Sequence, residues 1–166
     1  MVTRRVNSAA SYAARINDKS ARVEAANWRD LNSLRIIEHA CFQQDTWPLW
    51  DLIAVLTLPG VLRFKAVVDG CMVGFIAADL LRAEREAWIA TLCVQPEFQR
   101  RGIGRQLLEE CEAKITMPKI KLSVRVSNKA AIQLYSSFGY SQLEIWSKYY
   151  QDGEDALVME KHHILD

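Results

Sequence analysis

Residues 99–104 read Gln-Arg-Arg-Gly-Ile-Gly and join a predicted β-strand to a predicted amphipathic helix. The first amide groups of a helix have no partner within the helix, and they carry the positive end of its dipole. The glycines let the backbone approach a bulky group, and the arginines add full positive charges. A phosphate-bearing ligand is therefore the natural occupant of this segment. Taken alone, the segment fits a solvated basic turn equally well.

The spacing of the glycines excludes two well-known phosphate-binding segments. The pattern G-x-x-x-x-G-K-S/T does not occur at this position, so a P-loop is not indicated. The pattern G-x-G-x-x-G in a parallel βαβ unit is also excluded, because the preceding strands are predicted to form a hairpin. Asp69-Gly70 is the hairpin signal, since both central residues of such a turn need a positive φ.

The elements around this segment predict a mixed α/β (α+β) fold. Strands are predicted over residues 21–26, 62–68, 71–81, 87–94, 119–126, 142–150 and 156–161. Helices are predicted over residues 30–42, 47–58 and 103–115, and in a segment that starts at the N-cap Asn128 and stops at Gly139. The order is β-α-α-β-β-β-α-β-α-β-β, which is typical of helices layered on a sheet.

Length and composition predict one ordinary folded domain. The chain has 166 residues, of which 50% are hydrophobic and 25% charged, and its formal net charge is +1. This length can bury a sizeable core. Near-neutral charge argues against a general nucleic-acid binder. No apolar run approaches the roughly 20 residues that a membrane helix needs, so no membrane partner is predicted.

The N-terminal residues and the cysteines bear on compartment and metal binding. Residues 1–20 are predicted to be an extension of a single domain over residues 21–166, and they hold arginines but no acid before Asp18. An organellar transit peptide is the alternative to a simple extension of a cytoplasmic protein. The four cysteines form no C-x-x-C pair, and only three histidines are present, so no metal site is predicted. Buried thiols in a reducing compartment are expected.

The chain resembles the GNAT acetyltransferase superfamily, whose motif Q/R-x-x-G-x-G/A follows a strand and opens a helix. Residues 99–104 match that motif, and the similarity extends over residues 21–161. Further matching stretches are residues 22–31, 91–98, 127–135 and 138–140. The resemblance implies the GNAT fold, with a mixed, mostly antiparallel sheet of about seven strands and helices on both faces.

Within the superfamily, the sequence is most similar to RimI-type enzymes, through residues 122–128, residues 149–156 and an inverted Trp47-Pro48 pair. The resemblance implies an acyltransferase that moves an acetyl group from acetyl-CoA to the N-terminal α-amine of a protein, of the ribosomal-protein alanine type. A monomer or weak dimer is expected. The alternatives are acetylation of a small amine or polyamine, and a non-catalytic acetyl-CoA-binding module.

The resemblance also implies roles for individual residues. The backbone amides that would hold the pyrophosphate of acetyl-CoA are those of Arg100, Arg101, Gly102, Ile103, Gly104 and Arg105. The strand residues that would pair with the pantetheine arm are Leu92, Cys93 and Val94. Asn128 would contact the cofactor, and Tyr135 would be the general acid that protonates the departing thiolate. From spacing alone, a core aromatic on a helical stripe is the favoured interpretation of Tyr135, and the match to the motif reverses it.

One position departs from the pattern of RimI-type enzymes. Ser123 stands where those enzymes carry a glutamate proposed as general base, and a serine hydroxyl is no base at neutral pH. Glu86 and His39 are conceivable replacements. The favoured interpretation is nevertheless that Glu86 is a turn residue and that His39 lies on the surface of a helix. The resemblance implies that Tyr149 and Tyr150 line the groove for the substrate peptide. The alternative is that this aromatic pair covers an edge of the sheet.

Overall fold

The computed structural model describes residues 21–42 and 45–162 of the chain. The predicted N-terminal extension, residues 1–20, lies outside the described residues. The strands are β1 Arg22–Ala25, β2 Val61–Val68, β3 Cys71–Leu81, β4 Glu86–Val94, β5 Lys119–Arg125, β6 Ser141–Trp146 and β7 Ala156–His162. The helices are α1 Leu31–Cys41, α2 Leu49–Thr57, α3 Ile103–Lys114 and α4 Lys129–Ser137. Within the described residues, no helix has the length and apolar character needed to cross a membrane.

Local sequence signals start and stop these elements where expected. Asp69 and Gly70 join β2 to β3 with φ values of 50° and 79°, as a type I′ hairpin turn requires. The Asn128 side chain accepts a hydrogen bond from the Ala131 amide at 3.1 Å and so caps α4. Gly139 follows that helix with a φ of 88°. The predicted order of strands and helices is confirmed.

The sheet has seven strands in the order β1-β2-β3-β4-β5-β7-β6. Every neighbouring pair is antiparallel except β4 and β5, which are parallel. The parallel pair is the consequence of the crossover through α3, since parallel neighbours need a long connection. The prediction of a mixed, mostly antiparallel sheet is therefore confirmed.

Helices cover both faces of the sheet, as predicted. Alternate residues of β3 point to opposite faces, so Ile76 belongs to one apolar cluster and Phe75 to the other. The first cluster lies under α3 and α4 and includes the fully buried Leu107. The second lies under α1 and α2 and includes Leu34 and Ile37.

Gly74 of β3 allows α3 to lie close to the sheet. A Cβ atom at this position would lie 3.0 Å from Leu107 Cδ1, 3.2 Å from the Cys93 carbonyl oxygen and 3.4 Å from Ile103 Cγ2. Two of these neighbours are on the first two turns of α3, and the third is on β4. The absence of a side chain at Gly74 therefore sets how closely the start of α3 approaches the sheet.

The strand predicted over residues 142–150 and the burial predicted for Cys71 are both wrong. The strand predicted over residues 142–150 ends at Trp146, because Lys148 adopts a φ of 51° that cannot continue a strand. Tyr149 and Tyr150 consequently lie in the loop between β6 and β7. Cys71 is exposed rather than buried, because it is the first residue after the hairpin turn.

Candidate active site

A cleft opens where β4 and β5 separate. Their pairing runs from Glu86 opposite Lys119 to Ile89 opposite Leu122 and then stops. Beside this point β4 has one extra residue, Ala90, because Ala77 and Ala78 of β3 pair with Thr91 and Ile89. Such a bulge bends a strand and increases its twist. The edge of β4 beyond Ala90 is therefore left open toward β5.

The cleft, about 670 Å³ in volume, brings together six of the residues predicted for the site. These are Leu92, Ser123, Asn128, Tyr135, Tyr149 and Tyr150. They come from β4, β5, α4 and the β6–β7 loop, so widely separated parts of the chain form one cavity. Cys93, by contrast, is buried and turns its side chain into the α1–α2 face of the core.

The Gln99–Gly104 segment follows β4 directly and has the conformation expected of an anion-binding turn. Arg100 and Gly102 both adopt left-handed φ values, 59° and 78°. Successive turns of this kind point neighbouring amide groups into one concavity. The Gln99 side chain donates to the Val94 carbonyl oxygen at 3.0 Å and so fixes the segment to the end of β4. Gly102 is the N-cap of α3 and has no side chain to occupy the free amides.

Arg101 in this segment and Arg105 just after it lie over neighbouring aromatic rings. The Arg101 guanidinium carbon lies 5.2 Å from the centroid of the Phe98 ring, and that of Arg105 lies 4.8 Å from the Phe138 ring. Arg105 also donates to the Ser137 hydroxyl at 3.0 Å. The positive charge predicted for the segment is thus concentrated around the start of α3.

Tyr135 lies on the inner side of α4, where it lines the cleft and is 7% exposed. Its ring meets the Tyr140 ring edge to face, with centroids 5.7 Å apart. Burial raises the pKa of Tyr135 well above its ordinary value, and the nearby Tyr150 raises it further. The phenol is therefore protonated at neutral pH and available as a proton donor.

The candidates for a general base are not assembled around Ser123. Ser123 lines the cleft from β5. Glu86 is the first residue of β4 rather than a turn residue, and its carboxylate forms an ion pair with Lys121 at 2.7 Å. His39 is exposed on α1, as expected, and lies against a different cavity, between α1 and α2. Neither replaces the glutamate.

Aromatic rings line the side of the cleft nearest the β6–β7 loop. The rings of Trp88 and Trp146 stack with centroids 5.6 Å apart, and the Tyr149 ring lies 5.3 Å from that of Trp146. Tyr149 and Tyr150 meet edge to face at 5.2 Å. Burial raises the pKa of Tyr150 to about 12, while Arg125 acts in the opposite direction. Both tyrosines line the cleft.

Several residues that line the cleft were missed from the sequence. They are Cys41, Asp45, Trp47, Trp88, Thr91 and Arg125. Arg125 could have been found, because it lies two residues beyond Ser123 on a strand and so faces the same side. The Cys41 thiol donates to the Val94 carbonyl oxygen at 3.3 Å. It also hydrogen-bonds to Cys93, which together with burial raises the pKa of the Cys93 thiol.

The part of the chain that the structure describes contains no group of three or more His, Cys, Asp or Glu side chains placed to hold a metal ion. The polar side chains that line the cleft include the hydroxyls of Ser123, Tyr135 and Tyr150 and the amide of Asn128, whereas the Arg125 guanidinium is paired with carboxylates.

Comparisons with known proteins agree with this geometry. The sequence profile of the Acetyltransferase (GNAT) family matches residues 26–140. Ribosomal protein bS18-alanine N-acetyltransferase from Salmonella typhimurium is 39% identical over 105 residues, which are 59% of this chain and 69% of that protein. An N-alpha-acetyltransferase from Saccharolobus solfataricus is 30% identical over 129 residues, covering 69% of this chain and 77% of the relative.

A solved structure shows the same fold. The crystal structure of the ribosomal-protein-S18-alanine N-acetyltransferase from Escherichia coli superposes with a TM-score of 0.80 at 28% identity, covering 89% of this chain and 96% of that one. The family profile spans more than half of the chain and includes both the Gln99–Gly104 segment and Tyr135. The protein therefore belongs to the GNAT acetyltransferase family.

Proposed function

We propose that this protein transfers the acetyl group of acetyl-CoA to the N-terminal α-amine of a protein, of the ribosomal-protein alanine type. The observation that carries the proposal is the position of the buried Tyr135 in a cleft whose other wall is the open edge of β4. The two similar proteins act, by name, as an alanine N-acetyltransferase and an N-alpha-acetyltransferase, which supports an α-amine as the acceptor.

The described residues fit acetyl-CoA in three places. The amides of residues 100–105 would bind the pyrophosphate at the start of α3, with Arg100, Arg101 and Arg105 adding charge. The open edge of β4, residues 92–94, would pair with the amides of the pantetheine arm. The side-chain oxygen Oδ1 of Asn128 already caps α4, so the NH₂ group of the same side chain is the part available to the cofactor.

The reaction we infer is a direct transfer. The lone pair of the neutral amine attacks the thioester carbon, and backbone amides stabilise the negative charge that develops on the oxygen. The bond between carbon and sulfur then breaks, and Tyr135 donates its proton to the thiolate. The attacking nitrogen releases its own proton to solvent, and solvent returns a proton to the Tyr135 phenolate.

The absence of a carboxylate at Ser123 suits an α-amine better than a lysine. An α-amine has a pKa of about 7.8, so roughly one molecule in seven is neutral at pH 7. A lysine side chain with a pKa of about 10.4 is neutral in well under one molecule in a thousand. An enzyme without a strong base can therefore acetylate the first far more readily than the second.

The pH dependence of kcat/KM should report the acceptor rather than an enzyme base. We expect kcat/KM to fall about tenfold for each pH unit below the acceptor pKa of about 7.8, because only the neutral amine reacts. The variant Ser123→Glu should flatten this decline between pH 5.5 and 7.5, because its carboxylate accepts the ammonium proton. The size-matched variant Ser123→Gln should keep the decline. If kcat/KM of the wild-type protein were already independent of pH below pH 7, the inference that the amine loses its proton to solvent rather than to an enzyme base would be contradicted.

Binding of acetyl-CoA tests the cofactor site. Acetyl-CoA should raise the melting temperature of the wild-type protein, because a ligand that binds only the folded state stabilises it. In Gly102→Val the strained φ should move the loop amides, and the dissociation constant should rise about tenfold, the equivalent of one lost hydrogen bond to an anion.

Gly60→Val is the matched control for this experiment. Gly60 also has a positive φ, 82°, and open space around it, but it lies in the turn before β2. Both variants should lose similar stability, and only Gly102→Val should lose affinity. Equal affinity for acetyl-CoA in the two variants would show that the loop is not the pyrophosphate site.

Two alternatives differ from the proposal in measurable ways. A small-amine acetyltransferase would prefer polyamines to peptides, whereas the exposed Tyr149 at the cleft mouth favours a groove open to a longer acceptor. A non-catalytic binding module would release no CoA with any amine. The open groove is the observation that favours a peptide.

We infer a single catalytic domain over residues 21–166 with residues 1–20 as an extension. A cytoplasmic monomer or weak dimer is the state expected of it.

A further inference from the structure

The guanidinium of Arg125 contacts three carboxylates and one aromatic ring at the mouth of the cleft. Its Nε donates to Asp45 Oδ2 at 3.1 Å, and its Nη2 contacts the same oxygen. Its Nη1 donates to Asp152 Oδ2 at 2.9 Å and to Glu154 Oε2 at 2.6 Å. Its central carbon lies 4.0 Å from the centroid of the Tyr150 ring.

These contacts join two loops that are far apart in the sequence. Asp45 lies between α1 and α2, 80 residues before Arg125. Asp152 and Glu154 lie in the β6–β7 loop, 27 and 29 residues after it. Glu154 is itself fixed, because its Oε1 accepts from the Ser127 amide at 2.9 Å. Those hydrogen bonds, from Ser127 and then from Arg125, lower the pKa of Glu154 to about 2, so the carboxylate stays charged.

The two loops carry side chains of the acceptor half of the cleft. Trp47 follows Asp45, and Tyr149 and Tyr150 precede Asp152; all three aromatic residues line the cleft. Arg125 lines it as well, two residues beyond Ser123 on the same face of β5. One side chain thus bridges the two loops and lies against the Tyr150 ring.

We propose that Arg125 is a positioning residue for the acceptor, which holds the α1–α2 and β6–β7 loops at the separation that admits a peptide N-terminus. This inference rests on the proposed function. Arginine suits the task better than lysine, because its planar fork can bind carboxylates on two sides while its face stacks on a ring.

If Arg125 only stabilised the fold, its removal would lower stability rather than acceptor binding. The side chains of Arg125, Asp45, Asp152 and Glu154 are 21%, 25%, 40% and 22% exposed, so none of them is a core residue. Because all four side chains keep some contact with solvent, these ion pairs should contribute less to stability than fully buried ones. The main effect of removing Arg125 should therefore appear in acceptor binding.

The experiment compares Arg125→Gln with Lys121→Gln in steady-state kinetics, using acetyl-CoA and a synthetic peptide that begins with alanine. Lys121 is a matched control, because it lies on the same face of β5, is 20% exposed and pairs with Glu86 and Glu160. In Arg125→Gln we expect the peptide KM to rise about tenfold, with kcat and the acetyl-CoA KM changing less than about threefold. Lys121→Gln should leave all three constants unchanged.

Asp45→Asn gives a second measurement that does not depend on how well Arg125→Gln folds. It releases only the α1–α2 loop and should raise the peptide KM in the wild-type background. In the Arg125→Gln background it should add nothing further, because both changes break the same contact.

Unchanged peptide KM in both Arg125→Gln and Asp45→Asn would overturn the positioning role, as would equal effects of Arg125→Gln and Lys121→Gln. Failure of the proposed function would look different. The wild-type protein would then transfer no acetyl group to any peptide, whatever stands at position 125.

Discussion

Replacing Tyr135 with phenylalanine should lower kcat by about 100-fold, the usual contribution of a positioned general acid. The ring would remain on α4 against Tyr140, so packing should change little and acetyl-CoA should bind with unchanged affinity. Only the proton for the departing thiolate is lost. Burial keeps the wild-type phenol protonated through the neutral range, so its loss should be felt at every pH at which the acceptor reacts.

Tyr140→Phe is the matched control for this substitution. The Tyr140 ring touches that of Tyr135, but its hydroxyl donates to Glu112 Oε1 at 2.8 Å, outside the cleft. That variant should lose stability and retain kcat, since it leaves a buried carboxylate short of a donor. A stopped assay that measures CoA release at saturating acetyl-CoA distinguishes the Tyr135→Phe and Tyr140→Phe variants. If Tyr135→Phe kept the wild-type kcat across pH 6–9, the proton would have another source.

Replacing Gly74 with valine should destabilise the fold by about 3 kcal/mol, as overpacking of a well-filled core does. The added Cβ would lie 3.2 Å from the Cys93 carbonyl oxygen, a backbone atom that cannot move alone. It would also lie 3.0 Å from the Leu107 side chain, so α3 would have to shift outward. Urea denaturation followed by circular dichroism measures the loss.

Gly74→Ala should lose less stability than Gly74→Val, because it adds only the Cβ atom. Gly104→Ala is the control, since its Cβ would meet Leu134 at an ordinary 3.6 Å and alanine favours a helix. It should be neutral or slightly stabilising. A Gly74→Val protein as stable as the wild type would mean that α3 can move away from the sheet without cost.

Short-range signals in the sequence predicted much of this fold. Asp69-Gly70, the Asn128 cap and the Gly139 stop each act through residues within four positions of themselves, and each appears as predicted. Six of the predicted site residues line one cleft, whereas residues 100–105 are not among the residues that line it.

Features that depend on distant partners could not be predicted. The extra residue Ala90 in β4 is visible only in its register against β3, and no local pattern marks it. The early end of β6 follows from the left-handed Lys148, a residue type with no preference for that conformation. The Arg125 cluster joins residues from three separate segments, so its members carry no common sequence signal.

The short stretch of pairing between β4 and β5 has a consequence for how the two parts of the sheet dock against each other. Strands β1–β4 follow one another as antiparallel neighbours, whereas β5 reaches β4 only after α3 has crossed the sheet, and pairs with it from Glu86 to Ile89. A cofactor held by the α3 loop and β4 on one side and by α4 on the other would join the two halves of the sheet. Acetyl-CoA would then stabilise the docked arrangement of the two halves, and its concentration would set the fraction of molecules in which they are docked.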